Sequence, residues 1–381
     1  MGRVAAPGTP PARLAAVLRV HAAHGGASAL LRAARDVADA GEAAAPAAVL
    51  DAAVARCAPP ALPATTGDLD ARVAGWVDAW ARLGVVVSCV GDPGHPPALA
   101  AGWPHDGAPT WLARRGDART LDADVRRVAL VGARRASGYG RGVAAWLAGA
   151  AADAGVAVVS GGALGVDAAA HDAAADAAGG TVVVLGCGHD VPYPRPHAEP
   201  GGLFDRVRAG GGALLSEQPP DVPAHPGVVR ARNRIVAGLV DAVVVVEGGG
   251  RSGALVTAGH AADLGVPVLA VPGDVRAPGS VAPHRLLGEG AAPCTGPADL
   301  LAAVGAATPA TPDVRPGAPP GVLPPALWRV LADAWPRPVP LDVLAERAGL
   351  AVGPLLAAVT RGRVAGLVAE GSDGVRLARA P

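Results

Sequence analysis

The chain contains no lysine: all 33 of its basic residues are arginine. A Walker A loop, GxxxxGK[ST], needs a lysine for the phosphates, so ATP hydrolysis of the P-loop type is excluded. Net charge is absent too, because 33 acidic residues balance the arginines. No global basic field announces nucleic acid, and any polyanion site must be a local patch. The four cysteines, Cys57, Cys89, Cys187 and Cys294, form no CxxC pair and support neither a zinc site nor a disulfide framework. No uncharged apolar run approaches the roughly 18 residues of a membrane helix, and the N-terminus has no signal-peptide pattern. A soluble cytoplasmic protein without membrane contact is therefore expected. Asparagine and isoleucine occur once each, as Asn233 and Ile235. In a chain saturated with Ala, Gly, Arg and Val, the single Asn reads as chemically required.

With 381 residues the chain is long enough for two or three domains. Helical spacing of Leu14, Leu18 and His21, and of Leu30, Leu31 and Ala34, predicts a small helical, SAM-like domain over residues 1–65. The segment APPALPATT (58–66) breaks that pattern. An amphipathic helix carrying Val73, Trp76, Val77 and Trp80 follows, then a short strand from Val85 to Val90 and an irregular Pro-rich approach to the core. From Arg127 the rhythm changes to strand-like runs separated by helix-length segments: Val128–Val131, Val156–Val159, Val182–Leu185, Ala213–Leu215, Val243–Val246 and Val268–Val271. Apolar runs of this kind predict a doubly wound, mostly parallel, Rossmann-like α/β sheet over residues 66–304. A Pro/Ala linker (305–321) and a winged-helix-like module (322–381) complete the predicted organisation. The module's third helix offers only Arg361 and Arg363, too little charge to assert DNA reading, and a protein-contact role is preferred for it.

In doubly wound sheets ligands sit at the carboxyl ends of strands. Those ends here carry Gly132 to Arg135, Ser160 to Gly162, Gly186 to Gly188, Ser216-Glu217, Glu247 with the loop Gly248 to Gly253, and Pro272 to Asp274. The richest stretch is Val228 to Ala258. There Arg230, Arg232 and Arg234 are expected to precede a helix that leads into a buried strand, Glu247 and the glycine loop. Free N–H groups where a glycine turn opens a helix attract anions, so cations and N–H donors would converge on phosphate. A second cradle is expected from Gly132, Arg134, Arg135, Ser137 and Arg141, with a solvated basic turn as the simpler alternative.

The ordered motifs VALVGARRASGYG (Val128 to Gly140), VVSGGALGVDAAAH (Val158 to His171), VLGCGHDVPYPRPH (Val184 to His197), LLSE (Leu214 to Glu217), RNRIVAGL (Arg232 to Leu239), VVVVEGGGRSGALVTA (Val243 to Ala258) and AVPGD (Ala270 to Asp274) resemble the DNA-processing protein A family, DprA or Smf. The resemblance covers roughly residues 67–295. It implies a non-enzymatic, homodimeric protein that binds single-stranded DNA and helps load the recombinase RecA in natural transformation, with no cofactor and no metal. The DNA-binding residues it implies, taken with the anion arguments above, are Gly132, Arg134, Arg135, Ser137, Ser160, Gly161, Arg230, Arg232, Asn233, Arg234, Gly249, Arg251, Ser252 and Gly253. The chain departs from the family pattern at Leu164, where an arginine is usual, and at Val229, where an aromatic is usual; it gains Arg230. Binding more by charge and less by stacking is the consequence. The later G-x-N-x-L segment reads Ala282-Pro-His284-Arg285-Leu286.

Other readings of the same residues stay open in the sequence. Gly248, Gly250 and Gly253 satisfy GxGxxG, with Asp274 about twenty residues on, which is formally a dinucleotide fingerprint. That fingerprint normally occupies the first βαβ unit, whereas here it follows the fifth strand of the run, and Arg251 inside the loop suits a phosphate chain better. Asp167 and His171, at i and i+4, are expected to stabilise the helix start and to pack together. His189, Asp190, His197 and Tyr193 are expected to shape the rim, with contact of Tyr193 and Arg195 to nucleic acid as the alternative. Glu247 is expected to orient Arg232 or Arg234 on phosphates. Read as a catalytic carboxylate instead, it points to a phosphoribohydrolase that cleaves nucleoside monophosphates, which needs a pocket closed around one nucleotide.

Overall fold

Leu14, Val17 and Leu18 fall on one face of α1 (Ala12–His24), and Leu30, Ala34 and Val37 on one face of α2 (Ser28–Asp39). With α3 (Pro46–Cys57) and α4 (Thr66–Leu83) these helices bury their apolar stripes against one another, as 3.6-residue periodicity requires. The computed structural model describes residues 12–24, 28–43, 45–57, 66–307, 322–371 and 373–378; the break at 58–65 and linker residues 308–321 lie outside them. Val73, Trp76 and Trp80 of α4 are buried in the same core as α1 and the sheet.

The chain continues through β1 (Val86–Cys89), α5 (Pro97–Ala100), β2 (Trp111–Gly116), β3 (Arg127–Val131), α6 (Gly138–Asp153), β4 (Ala157–Ser160), α7 (Val166–Ala174), β5 (Thr181–Val184), α8 (Arg195–Ala198), α9 (Leu203–Ala209), β6 (Ala213–Ser216), α10 (Pro226–Gly238), β7 (Ala242–Val245), α11 (Gly253–Asp263), β8 (Val268–Ala270), α12 (Val281–Gly288), β9 (Ala292–Pro293) and α13 (Pro297–Ala303). The nine strands form one sheet in the order β1-β2-β6-β5-β4-β3-β7-β8-β9. Every residue of β3 to β7 is buried, which is why these runs are Val-rich without alternation: parallel strands are covered on both faces. The expected α/β class and mostly parallel sheet are present. Two strands were not foreseen. β2, WLARRG, pairs antiparallel with β6 (Arg114 opposite Leu215) and with β1, and β9 adds two residues to the other edge. Two arginines and no alternation hide β2 from a pattern search, and tertiary pairing of the edge decides it.

Topology fixes where a ligand fits. From β3 the chain steps outward through β4, β5 and β6, then returns to the opposite side of β3 for β7, β8 and β9. β3 is parallel to both neighbours, Val128 opposite Val158 of β4 and Val131 opposite Val245 of β7. The reversal of strand order lies between β3 and β7, and loops leaving their carboxyl ends part there to open a crevice. No single helix among the described residues is long and apolar enough to cross a membrane.

A second unit groups residues 136–143 with the described part of 308–381. Its C-terminal elements are α14 (Pro325–Ala334), α15 (Leu341–Ala348), α16 (Val352–Val364) and the antiparallel pair β10 (Val368–Gly371) and β11 (Gly374–Leu377). Leu327, Leu331, Leu344, Leu355, Val359 and Val375 form its own core.

Candidate nucleic-acid interface

Gly132 follows β3 at the crevice. A Cβ there would lie 2.6 Å from Val166 Cγ2 and 2.8 Å from the Glu247 carbonyl, so only glycine lets β3, α7 and the end of β7 approach this closely. The loop after β7 is tied down by the Gly248 N–H donating to Gly279 O at 2.7 Å and the Ala282 N–H donating to Gly248 O at 2.8 Å. Ser252 then caps α11, its Oγ accepting from the Ala254 N–H at 3.2 Å. As the first residue of α11, Gly253 has no intrahelical acceptor for its N–H, and the positive end of the helix dipole faces the crevice.

Across from it runs α10. The three arginines lie within this helix and not before it, because His225 acts as N-cap and Pro226 supplies the preset φ of the first turn, which starts the helix upstream. Val229, Arg232, Asn233 and Val236 recur at i, i+3, i+4 and i+7 and present one face of α10 to a cleft of about 270 Å³. Gly132, Ala133 and Arg134 line it on the side of β3, Gly161, Ala163 and Asp167 on the side of β4 and α7, and Ser252, Gly253, Ala254 and Thr257 at the start of α11. The single Asn of the chain bridges the two helices, Nδ2 of Asn233 donating to Gly253 O at 3.2 Å.

Arg232 is the floor of this cleft and is only 7% exposed. Its Nη1 donates to Val184 O, and its guanidinium packs so closely under Gly161 that a Cβ at that position would collide with it. Burial pulls the Arg232 pKa down to about 10, with Asp167 opposing the fall. Burial likewise raises the Asp167 carboxyl, with Arg232 and the surrounding hydrogen bonds opposing. Oδ2 of Asp167 accepts from the N–H groups of Gly161 at 3.1 Å and Ala163 at 3.3 Å. Asp167 therefore stabilises the loop after β4 and not a contact with His171. His171 Nδ1 meets Thr181 Oγ1 at 2.7 Å instead, and burial pulls this histidine down to about 3. Arg232, expected to grip phosphate, thus lines the cleft from a buried position, and the Gly161 N–H is already engaged by Asp167.

Glu247 lies away from the cleft. Its carboxyl group lies beside Gly279, where a Cβ would be 3.2 Å from Cδ, and it is not among the residues lining the cleft. Arg234 is held by Glu217, Nη2 donating to both carboxylate oxygens at 2.6 and 2.7 Å, with both side chains largely buried. Asp274, the acid of the formal dinucleotide fingerprint, is engaged by Arg276 at 2.9 and 3.1 Å. Ser160 is fully buried, and its hydroxyl donates to Leu130 O at 2.6 Å.

From the cleft the surface continues over the first turns of α10 as an outer groove of about 440 Å³ lined by Arg134, Tyr193, Ala224, His225, Val229, Arg230 and Asn233 among others. Arg134, Val229, Asn233 and Gly253 belong to both, so the two are one path. Arg134 and Arg230 are exposed and form no ion pair among the described residues. Tyr193 is 47% exposed at the rim, whereas His189 and His197 are buried, bonded to Ala113 O at 3.1 Å and Gly162 O at 2.9 Å. Of the residues expected from sequence, Gly132, Arg134, Gly161, Arg232, Asn233, Ser252 and Gly253 meet in the cleft, and Arg230 joins in the outer groove. Arg135, Gly249 and Arg251 are exposed but line neither cavity, and Ser137 accepts the Gly140 N–H at the start of α6. His225 escaped notice as a lining residue, although His-Pro before an apolar helix is a readable N-cap signal. At the corner of α12, His284 Nε2 lies 3.2 Å from Gly273 O.

A family model described as DNA recombination-mediator protein A matches residues 87–305. A putative DNA processing protein DprA of Mycobacterium tuberculosis is 43% identical over 270 residues, 70% of this chain and 68% of the relative. Protein Smf of Escherichia coli is 37% identical over 293 residues, 75% of this chain and 76% of the relative. The X-ray structure of DNA processing protein A from Streptococcus pneumoniae superposes with a TM-score of 0.57 at 26% identity, covering 76% of this chain and 95% of that one.

Proposed function

This chain belongs to the DNA recombination-mediator protein A family, and we propose that it binds single-stranded DNA along the path from the β3/β7 crevice across α10, with no chemistry of its own. The observation that carries this reading is the continuity of cleft and outer groove, with Arg134 and Arg230 exposed and unpaired at its side. An extended chain of phosphates uses such a path, placing successive charges on the two arginines and the amino end of α11. A nucleotide hydrolase needs a pocket closed around one nucleotide and a free carboxylate in it. Here Asp167 is committed to two N–H groups and Arg232, and Glu247 is not among the lining residues, which favours the strand binder.

The proposed DNA contacts are Gly132, Arg134, Arg230, Asn233, Ser252 and Gly253, with Arg232 and Gly161 shaping the floor. By family resemblance the protein acts in the cytoplasm as a homodimer and hands single strands to RecA, two copies on one strand raising avidity. Residues 1–65, 66–304 and 322–381 serve as helical, sheet and winged-helix-like modules in this reading, the last for protein contact. The test is anisotropy of a labelled single strand and of its duplex with purified protein, alongside assay of free-base release from nucleoside monophosphates. Tighter binding of the single strand with no base release supports the reading; equal affinity for duplex, or turnover, overturns it.

A further inference from the structure

A second cavity, of about 400 Å³, opens beside a different face of α10, that of Gly227, Val228 and Ala231. Its remaining walls are His21 and Ala22 of α1, Arg72 and Trp76 of α4, and the stretch after β6 that includes Glu217 and Gln218. This volume suits a small planar ligand. Trp76 is buried and fixed, its Nε1 donating to Asp221 Oδ1 at 3.1 Å. The Arg72 guanidinium lies 5.0 Å from the Trp76 ring centroid, and Arg72 is exposed with no ion pair among the described residues. The cation thus sits over the indole face at cation–π distance while also lining the cavity.

The polar groups around this platform fit the edge of a base. His21 is held edge-on by Trp76 and Trp111, with centroids 6.1 and 5.5 Å away, and its Nδ1 accepts from Trp111 Nε1 at 3.4 Å. Burial pulls His21 down to about 4, so the ring is neutral and Nε2 carries the remaining proton as a donor. The Gln218 amide adds a donor and an acceptor. Glu217 is taken by Arg234, so the cavity holds no unpaired carboxylate from that residue to repel a neighbouring phosphate. His225 borders both this cavity and the outer groove, which makes the two neighbours along one path.

We infer that this cavity receives one unstacked base of the same single strand, stacked on Arg72 over Trp76 with its edge toward His21 and Gln218. The inference rests on the single-strand reading of the groove and extends the footprint onto the N-terminal helices. Every base has a π-face, so stacking of this kind is tolerant of sequence.

The test uses the full chain and the shortest oligonucleotide that keeps full affinity, scanned with one abasic residue at successive positions. In the wild type one position should cost about fivefold or more in affinity when its base is removed. In Arg72→Ala and in Arg72→Lys that position should cost nothing further, with the salt dependence of binding unchanged in Arg72→Lys. The inference is overturned if Arg72→Lys restores wild-type behaviour, which marks a phosphate contact, or if no abasic position depends on Arg72. Loss of affinity in Arg134→Ala and Arg230→Ala, with both Arg72 variants like wild type, removes the base cavity and leaves the groove standing. A wild type that binds no single strand removes both.

Discussion

The guanidinium of Arg232 packs beneath Gly161 with no room for a Cβ between them, while Asp167 holds the Gly161 N–H. A cation and an anion, both buried, are thereby locked to one loop at the carboxyl end of β4, and the floor of the cleft has a fixed shape before any strand arrives. Removing either charge leaves the other buried and uncompensated, which is the expensive way to break such a pair.

Gly161→Ala is expected to destabilise the protein by about 1–3 kcal/mol, because the added methyl must push a buried guanidinium off Val184 O. The sign is informative. In a loop without positive φ, Gly→Ala ordinarily stabilises slightly by restricting the unfolded chain. Urea denaturation that finds the variant equal to or more stable than wild type would contradict the packing described.

Arg230→Ala and Arg232→Ala should separate cleanly. Arg230 is exposed, so its loss should leave stability within about 0.5 kcal/mol and weaken single-strand binding, lowering the salt slope by about 0.7. Arg232→Ala strands Asp167 and should cost about 3–5 kcal/mol of stability. Denaturation and anisotropy on the same preparations check both, and a reversed pattern would move the phosphate grip back to Arg232.

Much of this was legible in the sequence, for reasons that differ by element. The buried strands β3 to β8 announce themselves because parallel strands covered on both faces must be apolar, and Gly132 because the close approach of β3, α7 and β7 excludes a Cβ. What stayed hidden was partnering. Arginines at 230, 232 and 234 look alike in a string, yet α10 turns one into the floor, one toward Glu217 and one to solvent. Glu217 and Glu247 both end strands, and only the strand order says which carboxylate can reach Arg234. β2 was invisible because its identity as a strand comes from pairing with β6 and not from its own residues.

Stability should fall as pH drops from about 6.5 toward 4. His21, His95, His171 and His189 have pKa values pulled down by burial to about 4, 4, 3 and 4, so between these values and the ordinary 6.5 the unfolded chain binds protons that the folded one does not. Each such group contributes a slope of up to about 1.4 kcal/mol per pH unit, with stability rising with pH. Asp167 acts in the opposite sense, since burial raises its pKa and the folded state keeps its proton to higher pH. Four against one leaves acid destabilising. Thermal melts across pH 4 to 7 that show no loss of stability toward acid would contradict the burial of these rings.

Glu247→Gln should leave single-strand affinity near wild type, because Glu247 is not a lining residue of the cleft, whereas Glu217→Gln should weaken binding by loosening Arg234 on α10. Titration of both variants with one labelled strand decides this. Equal effects would return Glu247 to the site.

The most direct measurement is the affinity of wild-type protein and of the double variant Arg134→Ala, Arg230→Ala for a short labelled single strand across a salt series. Roughly three to five phosphate contacts predict a wild-type slope of log affinity against log salt of about −2 to −3.5, and loss of two contacts should make the variant shallower by about 1.4. A flat wild-type response, or a variant whose slope equals that of wild type, would contradict the placement of the strand along this groove.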